Sequence, residues 1–202
     1  MRIVVVSKTR MRDDRICVGA HDLRDFRSLR LYRHDGTYLT QADNIEIGQV
    51  WEVQYRPKPG AGAPHVEDVI VAGEGAHLVG QEPNLAALIE RRDVVWQTPE
   101  DLFDRRLQTT DAGSAYVPAD GVLPSRSTGY WRLDSDLELR QTEHGIRYRR
   151  SGAGALRSVR YVGLADTMPV IPEGTLARVS LSRRFAPAET VSGYWLQLSG
   201  WY

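Results

Sequence analysis

Residues 1–19 read MRIVVVSKTRMRDDRICVG. An apolar, β-branched run at 3–6 leads into a polar stretch carrying Lys8, Arg10, Arg12 and Arg15, and a second apolar run at 16–18 closes at Gly19. Short β-branched runs bounded by polar residues predict strands. The chain therefore opens as strand, basic loop, strand, an arrangement by which a small β-barrel presents cations to a polyanion. It closes on YWLQLSGWY at 194–202, another strand-like run.

Working outward from the opening, residues 28–33 alternate, with Leu29 and Leu31 on one face and Arg30 and Tyr32 on the other. Residues 49–56 alternate again, with Trp51, Val53 and Tyr55 opposite Glu52 and Gln54. Three prolines and two glycines make 57–64 (PKPGAGAP) a loop, and 66–72 is a fifth strand. Five strands in about 70 residues with no long helix among them suit a small barrel of the OB type. From residue 80 the texture changes. Asn84 caps a predicted helix over 85–92, Thr98-Pro99-Glu100 starts a second running to about 107, and 111–127 reads as loop. Strands return at 130–133, 137–141, 145–150, 158–164, 175–182 and 192–202. The fold expected is mainly β: two OB-like small barrels, 1–80 and 126–202, joined by a short helical connector at 81–125. No repeat is visible at the residue level.

The 202 residues are 42% hydrophobic and 26% charged, with a formal net charge of zero. Any anion-binding surface must therefore be local. Lys8 and Lys58 are the only lysines, so the cations are nearly all arginine, which grips phosphate bidentately, although a GC-rich coding sequence yields the same bias. With Cys17 as the single cysteine, neither an intramolecular disulfide nor a cysteine-based zinc site is possible, which suits a cytoplasmic setting. The first apolar run is too short for a signal peptide or a membrane span, and no other run is long enough.

The segments IVVVSKTRMRDDRICVGA (3–20), GQVWEVQYRP (48–57), PHVEDVIV (64–71), LARVSLSRRF (176–185) and YWLQLSGWY (194–202) resemble a bacterial family, the dual OB domain-containing proteins, over the whole chain. That resemblance implies two OB-like barrels and nucleic-acid binding within phage-defence or DNA-processing systems. It implies no catalytic residue.

The residues themselves nominate two basic surfaces. One is the opening loop with Lys8, Arg10, Arg12 and Arg15, extended by Arg30 and Tyr32, an arginine and an aromatic two apart on one strand face. Asp13, Asp14, Asp22 and Asp25 offer counter-charges that would make the same segments an ordinary mixed surface. The other is the run Arg140, Arg147, Arg149, Arg150, Arg157 and Arg160, with only Glu143 among them. Arg147 and Arg149 share a face there, and like charges so close call for a polyanion or for acids from another segment. Tyr130 and Arg132, opposite the core-phased Trp131, are candidates for base stacking.

Other constellations read as structure. In a strand His65 and Glu67 share a face from which Asp68 points away, so PHVEDV makes a poor metal site. Cys17 beside His21 lies in an apolar strand and reads as inert. The glycine-rich GAGA and GEGAHLVG lack the lysine and hydroxyl of a phosphate-binding loop. Taken together the sequence predicts a non-enzymatic, nucleic-acid-binding adaptor without cofactor or metal, favouring single-stranded DNA or RNA. A protein-interaction module is the alternative, and a small-ligand sensor or enzyme with an unrecognised site is the third.

Overall fold

The computed structural model describes residues 1–186 and 191–202. The molecule is mainly β and divides into two units, Met1–Asp93 and Val94–Tyr202. The stretch 81–125 is shared between them. Residues 81–93, with the α-helix, fall in the first unit and 94–125 in the second. No described helix is long and apolar enough to cross a membrane.

The first unit contains β1 (Arg2–Arg10), β2 (Arg15–Asp22), β3 (Ser28–Tyr32), β4 (Leu39–Thr40), β5 (Gln49–Glu52), β6 (Tyr55–Pro57), β7 (Asp68–Val71), β8 (His77–Gln81) and α1 (Leu85–Arg92). Strands β1, β2 and β3 form an antiparallel meander. β3 pairs in parallel with β7, β7 pairs antiparallel with β6, and β5 returns to β1. β5 and β6 are halves of one bent strand. Val53 N donates to Met1 O on one side and Ala72 N donates to Gln54 O on the other, each at 2.8 Å, so the two ladders continue across the bend. The pairing therefore runs once around a ring, the connectivity of an OB-type barrel. Inward-facing Ile3, Val5, Val18, Ala20, Leu29, Leu31 and Val53 are buried inside it. The helix α1 forms as expected, its N-terminus capped by Asn84, whose side chain accepts from Ala87 N at 3.0 Å.

The second unit adds β9 (Val95–Trp96), β10 (Gln108–Thr109), β11 (Ala115–Pro118), β12 (Thr128–Arg132), β13 (Leu137–Thr142), β14 (Gly145–Arg150), β15 (Ser158–Tyr161), β16 (Val170–Ile171), β17 (Leu176–Leu181) and β18 (Gly193–Trp201). Here β12 and β13 are the halves of the bent strand. β13, β14 and β15 form the meander, β15 pairs in parallel with β18, β18 pairs with β17, and β17 returns to β12. The order matches that of the first unit, a duplication in architecture carried by unrelated residues. The hairpin between β13 and β14 turns at Gly145 with φ +110°, a backbone open to glycine. Trp131, Tyr148, Tyr161, Val179 and Leu198 fill the barrel, each large apolar side chain contributing roughly 1.5–3 kcal/mol on burial.

The second expected helix does not form. Pro99–Arg105 is 3₁₀-like and broken, with Phe103 and Asp104 at φ +51° and +58°. Leu102 and Phe103 are completely buried in the second barrel's core. Driving both side chains inward outweighs helix propensity over so short a segment.

Candidate nucleic-acid interface

In an OB-type barrel the outer face of the second and third strands, with the loops beside it, is where oligonucleotides lie. The two units treat that face differently.

In the first unit the face belongs to β2 and β3 and carries Cys17, Gly19, His21, Arg30 and Tyr32. It is covered by its own chain. The loop between β6 and β7 and the first residue of β7 bring His65, Glu67 and Asp68 onto it, and all three are buried, as are Arg30 and Tyr32. Arg30 Nη1 donates to Asp68 Oδ1 and to His65 Nδ1, each at 3.0 Å, and Tyr32 Oη donates to Asp68 Oδ2 at 3.3 Å. Burial by itself would lower the Arg30 guanidinium, but Cys17, Asp68, Glu67 and Tyr32 around it raise it above its ordinary value. Arg30 and Tyr32 do share a face and a partner, yet they are withdrawn from the surface, a correction to their expected role in contacting nucleic acid. The same network gives His65 and Asp68 a guanidinium to hold in place of a metal.

The opening basic loop is only partly available. Lys8 lies within β1 and pairs with Glu46 at 2.8 Å, its side chain just 12% exposed. Arg15 pairs with Asp13 at 2.7 Å. Arg10 and Arg12 are exposed and, among the described residues, have no side-chain partner.

In the second unit the corresponding face is open, and the strand register assembles it. Arg140 on β13 lies directly opposite Arg147 on β14, and Arg147 lies directly opposite Arg160 on β15. Three arginines thus stand in one row across three adjacent strands. Arg149, two residues from Arg147, extends the same face opposite Ser158 and Glu138. Glu138 pairs with Arg140 at 2.6 Å. Arg147 is held by hydroxyls instead of acids: its Nη2 donates to Ser114 Oγ at 2.7 Å and to Ser158 Oγ at 2.8 Å. Burial, and to a lesser extent the neighbouring Arg160, hold the Arg147 guanidinium below its ordinary value. Arg149 and Arg160 are exposed and have no partner among the described residues.

The other candidates in this unit have structural duties. Arg150 holds Asp134 with two nitrogens, at 3.1 and 2.5 Å, and donates to Ala153 O. Arg157 donates to Asp111 O. Arg132 Nη1 donates to Gly174 O at 2.8 Å. Tyr130 shows no exposed surface. Its hydroxyl accepts from Arg178 Nη1 at 2.7 Å, and its ring lies beside that of Tyr202. The expectation of stacking at Tyr130 is therefore also corrected.

An aromatic outside the nominated residues, Trp195, sits beside the arginine row, and Phe185 lies next to it. Arg160 is opposite Gln197 on β18, and Trp195, two residues away, shares Gln197's face. Trp195 is half-buried against Tyr116, ring centroids 5.0 Å apart. Its Nε1 donates to the carbonyl of Phe185 at 3.1 Å, and the Phe185 side chain is 53% exposed. The signal was available in YWLQL, where Trp195 and Gln197 alternate with core residues Leu196 and Leu198.

No family model and no curated protein matches the chain. Solved structures similar in shape include a murine DNA-binding protein bound to double-stranded DNA, at 11% identity and a TM-score of 0.32 over 98% of this chain and 91% of that one. Another, described as structural mimicry for functional antagonism, has 8% identity and a TM-score of 0.37 over 99% of this chain and 91% of its own. Similarities this slight carry no function from one chain to another.

Proposed function

We propose that this chain binds nucleic acid through the outer face of β14 and β15 in its second unit. The observation that carries the reading is the in-register row Arg140, Arg147 and Arg160. Like charges directly opposed across strands destabilise a sheet, and a phosphate backbone laid along the row removes that repulsion while releasing counterions. Arg149 widens the cationic face. Half-buried Trp195 and exposed Phe185 beside it are placed to stack unpaired bases, which favours single-stranded DNA or RNA over duplex. The first unit's equivalent face, plugged by its own loop, is not part of the contact. The resemblance to dual OB proteins extends the proposal to a non-enzymatic adaptor serving an enzyme encoded elsewhere, in a bacterial phage-defence or DNA-processing system.

Fluorescence anisotropy with labelled single-stranded DNA, duplex DNA and single-stranded RNA across a salt series tests this. Four arginine–phosphate contacts give a log–log salt slope of about −3 for a single strand. Binding to none of the three at low salt overturns the reading. A protein partner is then the alternative, favoured by β8, which ends its sheet and leaves Leu78 and Val79 50% and 40% exposed. Co-purification of a stoichiometric protein free of nucleic-acid absorbance would support it.

A further inference from the structure

We propose that the interior of the first barrel is a binding site for a small apolar molecule carrying an amine. In the second barrel the interior is filled by Trp131, Tyr148 and Tyr161. In the first it is not. A cavity of about 460 Å³ opens there among Ile3, Val5, Leu31, Trp51, Val53 and Val71, a volume in the range of small-molecule sites. Trp51 pairs with Ile3 and so points inward, where it lines the cavity and is only half-buried.

The opening has a definite origin. Parallel pairing of β3 with β7 stops at Tyr32 and Ile70. Beyond it the two chains part, one through the turn at 33–37 and the other through the glycine-rich segment at 72–76. The mouth of the cavity lies between them, bordered by Arg33, His34, Asp35, Asp43, Gly73 and Ala76, with the His34 ring set against Gly73.

The mouth decides the chemistry. Asp35 Oδ1 accepts from Thr37 N and Oγ1. Asp43 Oδ2 accepts from Arg33 Nη2 at 2.7 Å and from Thr40 N and Oγ1. The second oxygen of each carboxylate accepts nothing among the described residues. Those same bonds lower both acids below the ordinary carboxylate value, so both are ionised at neutral pH. Arg33, already engaged with Asp43, is the one permanent cation against two carboxylates. An apolar floor ending in an excess of acceptor oxygens suits a ring or short alkyl group bearing a protonated amine, and disfavours the equivalent carboxylate.

The test is an amide ¹H–¹⁵N NMR titration of the full chain with tryptamine, indole and indole-3-propionate. Expected are saturable shifts at Ile3, Leu31, Arg33, Trp51, Val53 and Val71, with tryptamine binding about five-fold more tightly than the acid, as one semi-exposed ion pair allows. Asp35→Asn should reduce that preference while leaving indole binding unchanged. Val71→Trp should block all three probes, and if it fails to fold, the Asp35→Asn comparison decides alone. No saturable shift with any probe, shifts centred outside the first unit, or equal affinity for amine and acid would each overturn the proposal. Nucleic-acid binding by the second unit is read separately and is unaffected by the outcome.

Discussion

Arg147 and Arg160 are directly opposed partners on neighbouring strands, and among the described residues neither is paired with a carboxylate. A sheet surface selected only for stability would place an acid at one of the two positions. The pair therefore separates stability from binding. Arg160→Glu should leave the unfolding free energy unchanged or raise it by about 0.5 kcal/mol, because it replaces a repulsive cross-strand pair with an attractive one. The same substitution, combined with Arg149→Glu, should weaken single-strand binding at least ten-fold and reduce the magnitude of the salt slope by about 1.5. Urea denaturation and anisotropy on the same preparations check both. Weaker binding accompanied by lost stability would mean the row is structural.

Arg30 is the opposite case, a buried arginine with its partners supplied. Its side chain and that of Asp68 are 8% and 5% exposed. Removing the carboxylate takes the directly bonded acid away from a guanidinium in a site closed to water. Asp68→Ala is expected to cost about 3–5 kcal/mol, read from the urea midpoint of the first unit's transition. Nucleic-acid affinity per folded molecule should not change, because this face is plugged by the loop at 58–67.

The acid limb of stability has identifiable owners. Burial would raise the Asp22 carboxyl, but bonds from Tyr55 Oη at 2.5 Å and Arg24 N at 2.9 Å hold it below its ordinary value. A group whose folded-state pKa is depressed contributes stability above its unfolded pKa, near 4, and loses it as pH falls through the folded value. Asp43, lowered by Arg33 and Thr40 against its burial, adds to the same window. The stability contributed by these two carboxylates should therefore be intact above about pH 5 and be lost steadily below 4, as read from unfolding midpoints. Tyr55→Phe should cost about 1 kcal/mol at pH 7 and flatten the acid limb, since Asp22 then loses its strongest donor. A Tyr55→Phe limb as steep as the parent's would assign it to other carboxylates.

Much of this was legible in the residues and some could not be. Alternation at 28–33 and 49–56 placed the strands and the inward face of Leu31, Trp51 and Val53, because period-two burial leaves its mark on composition. The shared face of Arg147 and Arg149 was legible for the same reason. That Arg140, Arg147 and Arg160 fall into one row depends on hairpin register between strands, which no single strand's periodicity records. Arg30 looked like surface because its cover, the loop at 58–67, has no period to read and reaches it from 35 residues away. Residues 111–118, the start of the segment read as loop, complete the β10–β11 hairpin that carries Tyr116 to Trp195. The third strand of the opening module ends where the chain needs a gap, and gaps have no sequence pattern.

Gly129 on β12 is the sharpest steric constraint in the second barrel. A Cβ there would stand 2.2 Å from Cζ3 and 2.4 Å from Cη2 of the Trp96 ring, so β9 lies against β12 only because the position is bare. The indole has little freedom to yield. It packs on Phe103, ring centroids 5.2 Å apart, and lies under the Arg126 guanidinium at 5.4 Å. Phe103 is itself fully buried, so a displaced indole would disturb the core. Gly129→Ala should therefore cost about 2 kcal/mol, within the range for overpacking, despite alanine's better fit to a strand than glycine's. Pairing it with Trp96→Leu gives the decisive cycle. Trp96→Leu alone loses packing against Phe103 and Arg126, but in its presence the alanine should cost less than about 0.5 kcal/mol, because the clashing atoms are gone. Thermal unfolding of the four proteins reads the coupling directly, and additive losses would show that the glycine serves the backbone and not the indole.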